Sequence, residues 1–233
     1  MPIGLVLVKK NEERPKGPSE NLAEAFPKEP PPICESRRSV RVPGLLGNVE
    51  FHECLLRTDV ELAERVRRGG CQRGDCGGRL HRADFPRKVR GLAVGESSSF
   101  ATRFGLCCGW CRQRVLPPTV RFFGRSSYAF VATLVAVATA LTSGTAPGAR
   151  LVGAAWATLA RWIRFLQCDL VCRGEWQAAR GRLPALLRLE ELPLSLVEVF
   201  GCVESDDAWH SALRWLSPIT TTPLFTPRMP RAG

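Results

Sequence analysis

Cysteines in two closely spaced pairs carry the clearest chemistry in this 233-residue chain. Cys71 and Cys76 enclose four residues and lead straight into Gly77-Gly78, while Cys108 and Cys111 enclose two. Spacing this short turns the backbone back on itself, so both sulfurs of a pair face one point, and glycine relieves the turn. Two such turns joined by strands supply four thiolates to one tetrahedral ion, and this donor set predicts a structural Zn2+. Arg73, Arg79, Arg112 and Arg114 lie beside the cysteines, where positive charge favours thiolate over thiol. A four-thiolate site has no open coordination position, so it is expected to hold the fold and not to catalyse. Two neighbours leave the ligand set open by one residue. Cys107 competes with Cys108, and His81 can stand in for a sulfur. Cys168 and Cys172 share a helix face but lack a His or acidic partner at matching spacing, so no second metal is assigned to them.

Positive charge gathers around the same cysteines. The chain holds 33 Lys+Arg against 22 Asp+Glu, a net charge of +11. Residues 61–127 carry 14 basic and 5 acidic side chains, whereas residues 1–60 are balanced at 9 each and residues 128–233 carry 10 against 8. A concentrated basic excess points to a polyanion, and duplex DNA is the expected partner. No phosphate-binding glycine loop or nucleophile elbow is legible, so no small-molecule substrate is expected.

Ten cysteines suit a disulfide framework only in an oxidising compartment. The opening MPIGLVLVKKNEERP has a short apolar run before its lysines, the wrong order for an export segment, so a cytoplasmic chain is expected. Residues 126–149 carry no charge, and Ala129–Leu141 is a 13-residue apolar run broken only by Thr133 and Thr139. A membrane span needs about 20 apolar residues, so this run predicts a buried core helix and no membrane partner.

The elements that must position these residues follow. Residues 1–48 read as a loosely ordered arm, because 9–43 mix Pro, Glu, Lys and Ser without apolar periodicity. Thr58 is the expected cap of a helix over 59–68, with Glu61 completing a capping box and Val60, Leu62, Ala63 and Val66 forming its apolar stripe. Strands are expected over 79–90, 100–107 and 119–123, which with that helix makes 49–127 a helix plus a three-stranded zinc ribbon. Residues 128–217 read as helices at 128–141, 149–152, 155–170, 175–182 and 205–216, and 218–233 as a tail. The fold class is α+β, mainly α.

Within the helical part, Leu159, Trp162, Ile163 and Leu166 recur on one face and Arg161 and Arg164 fall on the other. A short helix, a turn at Gly153 and a longer helix with an arginine face describe a helix-turn-helix. Arg79, Arg82, Arg87, Lys88 and Arg90 are then the expected phosphate contacts, and Arg161 and Arg164 approach the groove. A different class of function is a protein-interaction module, for which Trp156, Trp162, Trp176, Trp209 and Trp215 would furnish an apolar surface.

The stretches CGGRLHRADFPRKVRG, FGLCCGWCRQRVLPPTVRFFGR, GAAWATLARW and EWQAARGRL resemble a family of uncharacterised bacterial proteins that join a zinc ribbon to a transposase-like helix-turn-helix. The resemblance spans roughly residues 55–220. Its turn-and-helix pattern of Gly, small residue, Ser, two variable residues, Thr, Leu, any residue, Arg, Trp becomes Gly153 to Trp162 here. Ala155 stands where that family has a capping Ser, and Trp156 and Ala157 stand where polar base-reading residues are usual. The resemblance implies a transposase-related DNA-binding protein. Strand-transfer catalysis would need three carboxylates on a mixed sheet holding two metal ions. The acidic residues after Trp162 fall in helical or loop segments, so no catalytic site is expected.

Overall fold

An apolar helix in so basic a chain has one stable place, the interior, and the rest of the helical layer is arranged around it. The computed structural model describes residues 42–92, 98–124, 126–183 and 187–221. Most of the expected N-terminal arm and residues 222–233 of the expected tail lie outside the described residues. The fold is mixed α+β and mainly helical, with small antiparallel sheets. In chain order it runs α1 (Val49–Gly69), β1 (Leu80–Arg82), β2 (Phe85–Pro86), β3 (Thr102–Arg103), β4 (Leu106–Cys108), β5 (Arg114–Val115), α2 (Phe130–Ser143), α3 (Thr145–Leu151), α4 (Trp156–Arg164), α5 (Gly174–Arg180), α6 (Leu194–Phe200) and α7 (Asp206–Thr221).

Helix α2 is the expected core helix, and every residue from Phe130 to Ala138 is buried. Among the described residues no helix is long and apolar enough to cross a membrane. Its small residues let neighbours approach closely. A Cβ on Gly148 of α3 would lie 2.5 Å from the Ala136 carbonyl oxygen and 3.0 Å from the Ala140 Cβ, so only glycine fits there. Helix α7 packs Trp209, Trp215 and Leu216 against the same core, and Trp176 of α5 meets Trp215 edge to face with ring centroids 5.1 Å apart. The core also takes in Leu45 and Leu46, from a 3-10 turn (Val42–Gly47) that the sequence places in the arm.

Helix α1 starts ten residues before its predicted start. Asn48, not Thr58, caps it, accepting a bond from the Phe51 amide at 3.0 Å, and Thr58 lies mid-helix with its hydroxyl donating to the Cys54 carbonyl. The buried face is Phe51, Leu55, Thr58, Asp59 and Ala63, while Val60 is exposed. Polar residues within that face conceal its period, which explains the misplaced cap and stripe. Helix α4 also ends earlier than its predicted limit: after Arg164 the chain widens into a π turn over Phe165–Asp169, with the Leu170 amide bonding the Phe165 carbonyl at 2.7 Å. Helix α6 has no counterpart in the sequence reading, and α7 runs on through Pro218 into the expected tail.

The long predicted strands break into short ones. Strands β1, β4 and β5 form one antiparallel sheet in the order β1-β4-β5, and β2 and β3 pair separately. The break between β1 and β2 comes at Asp84, whose carboxylate accepts the Gly105 amide at 3.1 Å. Residues 119–123 form no strand of this sheet, because their polar groups are committed to Asp59. That carboxylate accepts the Val120 amide at 2.7 Å, the Thr119 hydroxyl at 2.5 Å and Nε of Arg121 at 2.7 Å. Both charged side chains are almost fully buried, and the Arg121 guanidinium also donates to the Ser99 carbonyl and lies over the ring of Phe104. Burial raises the Asp59 pKa above its ordinary value, with the Arg121 charge and the three hydrogen bonds working against it.

Removing one member of a buried pair strands the other charge, at a cost of about 3–5 kcal/mol. Asp59→Ala and Arg121→Met are each expected to lose stability on that scale in urea unfolding. The double variant is expected to lose less than the sum of the two. A second expectation concerns Ala155, which sits in extended conformation at the α4 N-cap with no side-chain bond to the helix. Ala155→Ser should raise stability by about 1 kcal/mol in the same measurement.

Candidate metal centre

Helix α1 delivers Cys71 directly after its Gly69-Gly70 end. The first turn is fastened by the Cys76 amide donating to the Arg73 carbonyl at 3.1 Å and the Cys71 amide donating to the Gly78 carbonyl at 2.9 Å. The second turn leaves β4 at Cys108, whose carbonyl accepts the Arg112 amide at 3.2 Å and whose amide donates to the Gln113 carbonyl at 3.0 Å. Arg112 takes a left-handed backbone (φ 57°) to close this turn. The antiparallel pairing of Leu80 with Cys108 then brings the two turns together.

The result is a cluster of Cys71, Cys76, Cys108 and Cys111 whose four sulfurs lie within 4.8 Å of one another. Cys71 Sγ is 3.6 Å from Cys111 Sγ, and Cys76 Sγ is 3.7 Å from Cys108 Sγ. A regular tetrahedron with metal–sulfur bonds of about 2.3 Å has edges of about 3.8 Å, so these four can hold a metal ion. They are far beyond the S–S bond of about 2.05 Å that a disulfide requires. The amide of Trp110 donates to Cys108 Sγ at 3.4 Å, as anionic sulfur favours. Gly78 lies against the cluster: a Cβ there would be 2.6 Å from Cys108 Sγ and 3.3 Å from Cys76 Sγ.

Electrostatics within the cluster differ from one sulfur to the next. Amides of Cys111 and Trp110 draw the Cys108 thiol down to about 7, against desolvation. Cys71 receives a backbone bond from Arg73 that favours its thiolate, yet burial and its bonds with Cys111, Cys108 and Cys76 push it up to about 11. A thiolate forms readily at Cys108 while Cys71 resists one, because like charges this close disfavour one another. A divalent ion removes that conflict by compensating the thiolates directly.

Strand alternation decides between the competing ligands. Cys108 faces inward and is fully buried, whereas Cys107 points to the other face and its thiol meets the Arg112 carbonyl at 3.6 Å. His81 pairs with Cys107 across the sheet and is exposed, away from the four sulfurs. Cys168 and Cys172 are exposed and take no part.

The basic residues singled out in the sequence fall in two places. Arg79 lies exposed beside the cysteine turns, and Arg82 pairs with Asp84 at 3.5 Å while covering the Phe104 ring. Arg87, Lys88 and Arg90 follow β2, and two of them are tied to the segment before α2. Arg87 donates to the Ser126 carbonyl at 3.2 Å, and the Arg90 backbone bonds both Ser127 and Ala129, at 2.8 and 3.0 Å. That segment is one wall of an open groove of about 660 Å³, lined by Ser126, Ser127 and Tyr128 on one side and by Thr158, Arg161 and Arg164 of α4 on the other. Phe123, Trp162 and Phe165 also line it, Tyr128 meets Trp162 at 4.8 Å between ring centroids, and Asp169 is its acidic member. Sequence reasoning overlooked Arg103, buried nearby and held down to about 10 chiefly by that burial, with Arg87 and Arg121 adding to the effect and Asp59 opposing it. Of the five tryptophans considered for a docking surface, Trp162, Trp176, Trp209 and Trp215 are buried in the core and Trp156 is 58% exposed.

No family model, curated protein or solved structure matches this chain. The metal centre therefore rests on its geometry, which metal analysis tests directly. The purified protein is expected to carry one ion per chain, and Cys108→Ser or Cys71→Ser to lose it. Cys107→Ser and His81→Ala should keep the full metal-to-protein ratio, measured by elemental analysis; a loss in either variant would redraw the ligand set.

Proposed function

We propose that this chain is a zinc-stabilised DNA-binding protein, related to transposase DNA-binding regions and without a catalytic site of its own. Zinc is the ion best suited to four cysteine thiolates on two short turns, and the sheet β1-β4-β5 with its cysteine turns is then a small zinc ribbon. Helices α3 and α4, joined through Gly153, are the helix-turn-helix in this reading.

One observation supports the DNA reading: two exposed arginines of α4 line an open groove whose other wall is bonded to the basic 87–90 segment. Arg161 and Arg164 stand exposed on α4, and Arg87 and Arg90 are fixed to the opposite wall through Ser126 and Ser127. Exposed cations along an open groove suit a phosphate backbone. The start of α4 supplies little base readout. Trp156 and Ala157 are exposed there and neither can make the paired hydrogen bonds that distinguish bases. Binding is therefore dominated by phosphate contacts and weakly sequence-dependent. The exposure of Trp156 favours a second reading, in which α4 docks to a protein partner.

Affinity for random duplex DNA should fall steeply between about 50 and 200 mM salt. Arg161→Ala and Arg164→Ala should each weaken all sequences alike and reduce the salt slope by about one unit. Fluorescence anisotropy over a salt series measures both. Affinity indifferent to salt would sink the DNA reading, and loss of partner capture in Trp156→Ala with DNA binding intact would support the second.

A further inference from the structure

The most exposed tryptophan in the described structure lies neither in the core nor in the α4 groove. Trp110 occupies the two-residue spacer of Cys108 and Cys111 and is 79% exposed. Its base is nevertheless firmly held. Its amide is bonded to Cys108 Sγ, the preceding Gly109 amide donates to the Arg79 carbonyl at 3.0 Å, and a Cβ on Gly78 would lie 3.0 Å from the Trp110 Cβ. A rigid backbone thus presents an indole to solvent, where it gains nothing from burial in the free protein.

The surroundings of that indole are strongly positive. Arg73, Arg79, Arg112 and Arg114 are all exposed on the two cysteine turns and the strands that flank them. None of the ion pairs among the described residues engages these four, and Arg73 has only Gln113 as a side-chain partner, at 3.3 Å. Asp75 is the single acidic residue of the two turns. A partner for this surface must offer both a flat apolar face for the indole and closely spaced negative charge for the arginines. A duplex hides its base faces within the stack, whereas an unpaired strand offers a free face at every base and a phosphate beside each one.

We propose that the Gly109-Trp110 turn is a stacking platform for single-stranded nucleic acid, with Trp110 against a base and Arg73, Arg79, Arg112 and Arg114 on the flanking phosphates. The site is separate from the α4 groove and stands whether or not that groove binds duplex. The metal turns fix the platform, so the ring needs no reordering when a base arrives.

Anisotropy of labelled oligothymidylate of about 12 nucleotides, with a duplex of equal length in parallel, tests this on the metal-loaded full chain. Trp110→Ala should weaken single-strand binding about tenfold or more, and Trp110→Phe should lose much less, since an aromatic face remains. Both variants should keep the metal content and duplex affinity of the parent. Arg112→Ala and Arg114→Ala should each flatten the salt dependence of single-strand binding. Arg161→Ala should weaken duplex binding more than single-strand binding, the reverse of Trp110→Ala, which separates this site from the groove. The proposal is overturned if the parent does not bind the oligonucleotide, if Trp110→Ala binds it as the parent does, or if that variant loses single-strand and duplex binding equally.

Discussion

The buried carboxylate of Asp59 is the constraint on which the arrangement depends. It gathers α1, the Thr119–Arg121 segment and, through Arg121, the Ser99 carbonyl into one hydrogen-bonded knot. From that knot the chain leads one way along α1 to Cys71 and the other way through Phe122 into the core helix α2. The cysteine turns and the helical layer thus share this acidic side chain, alongside the bonds that Asn48, the cap of α1, and Thr58 make to Asp206 and His210 of α7. Packing alone could stabilise such a junction at least as well, since desolvating two charges consumes much of what their attraction returns. What the pair adds is direction: a carboxylate with three donors in fixed places admits one orientation of the incoming chain, where an apolar contact would admit many.

The metal cluster solves a different problem. The sheet it holds has strands of only two or three residues, and its separate small core consists of Cys71, Leu80, Leu106 and Cys108 with a few half-buried neighbours. So little apolar surface does not fold an isolated sheet. Two of its four buried residues are cysteines, so the groups that fill it are also groups that could hold an ion. This explains why the second turn needs Cys108 rather than Cys107: only the inward position of the strand serves both purposes.

This division separates what could be read from the sequence from what could not. The clustered cysteines announce themselves by local spacing, and the core helix by an apolar run of 13 residues, too short for a membrane; both are local properties of the sequence. Arg121 next to Thr119 gives no sign that its partner is Asp59, because the contact spans 62 positions and nothing local records it. The same contact overturns two local expectations. It puts Asp59 inside the face of α1, and it commits the polar groups of residues 119–123, expected as a strand, to that carboxylate. Trp110 was missed for the opposite reason. Tryptophan is ordinarily counted toward a core, yet a side chain confined between two cysteines of a tight turn cannot reach one, and that was legible from its position alone.

The basic excess in residues 61–127 looks like one feature in the sequence and becomes several in the fold. Arg87 and Arg90 are bound to the backbone just before α2 and so move with the helical layer. Arg73, Arg79, Arg112 and Arg114 belong to the cysteine turns and owe their positions to the sheet and its metal site. Arg103 and Arg121 are buried and serve the junction between the two. Net charge therefore overstates the surface available to any one polyanion, because Arg103 and Arg121 are buried, Arg87 is half-buried against the Ser126 carbonyl, and the others stand on separately anchored supports. A ligand that reaches only one support meets a fraction of the total charge, and it is the anchor of each group, more than the sum, that decides what the surface can hold.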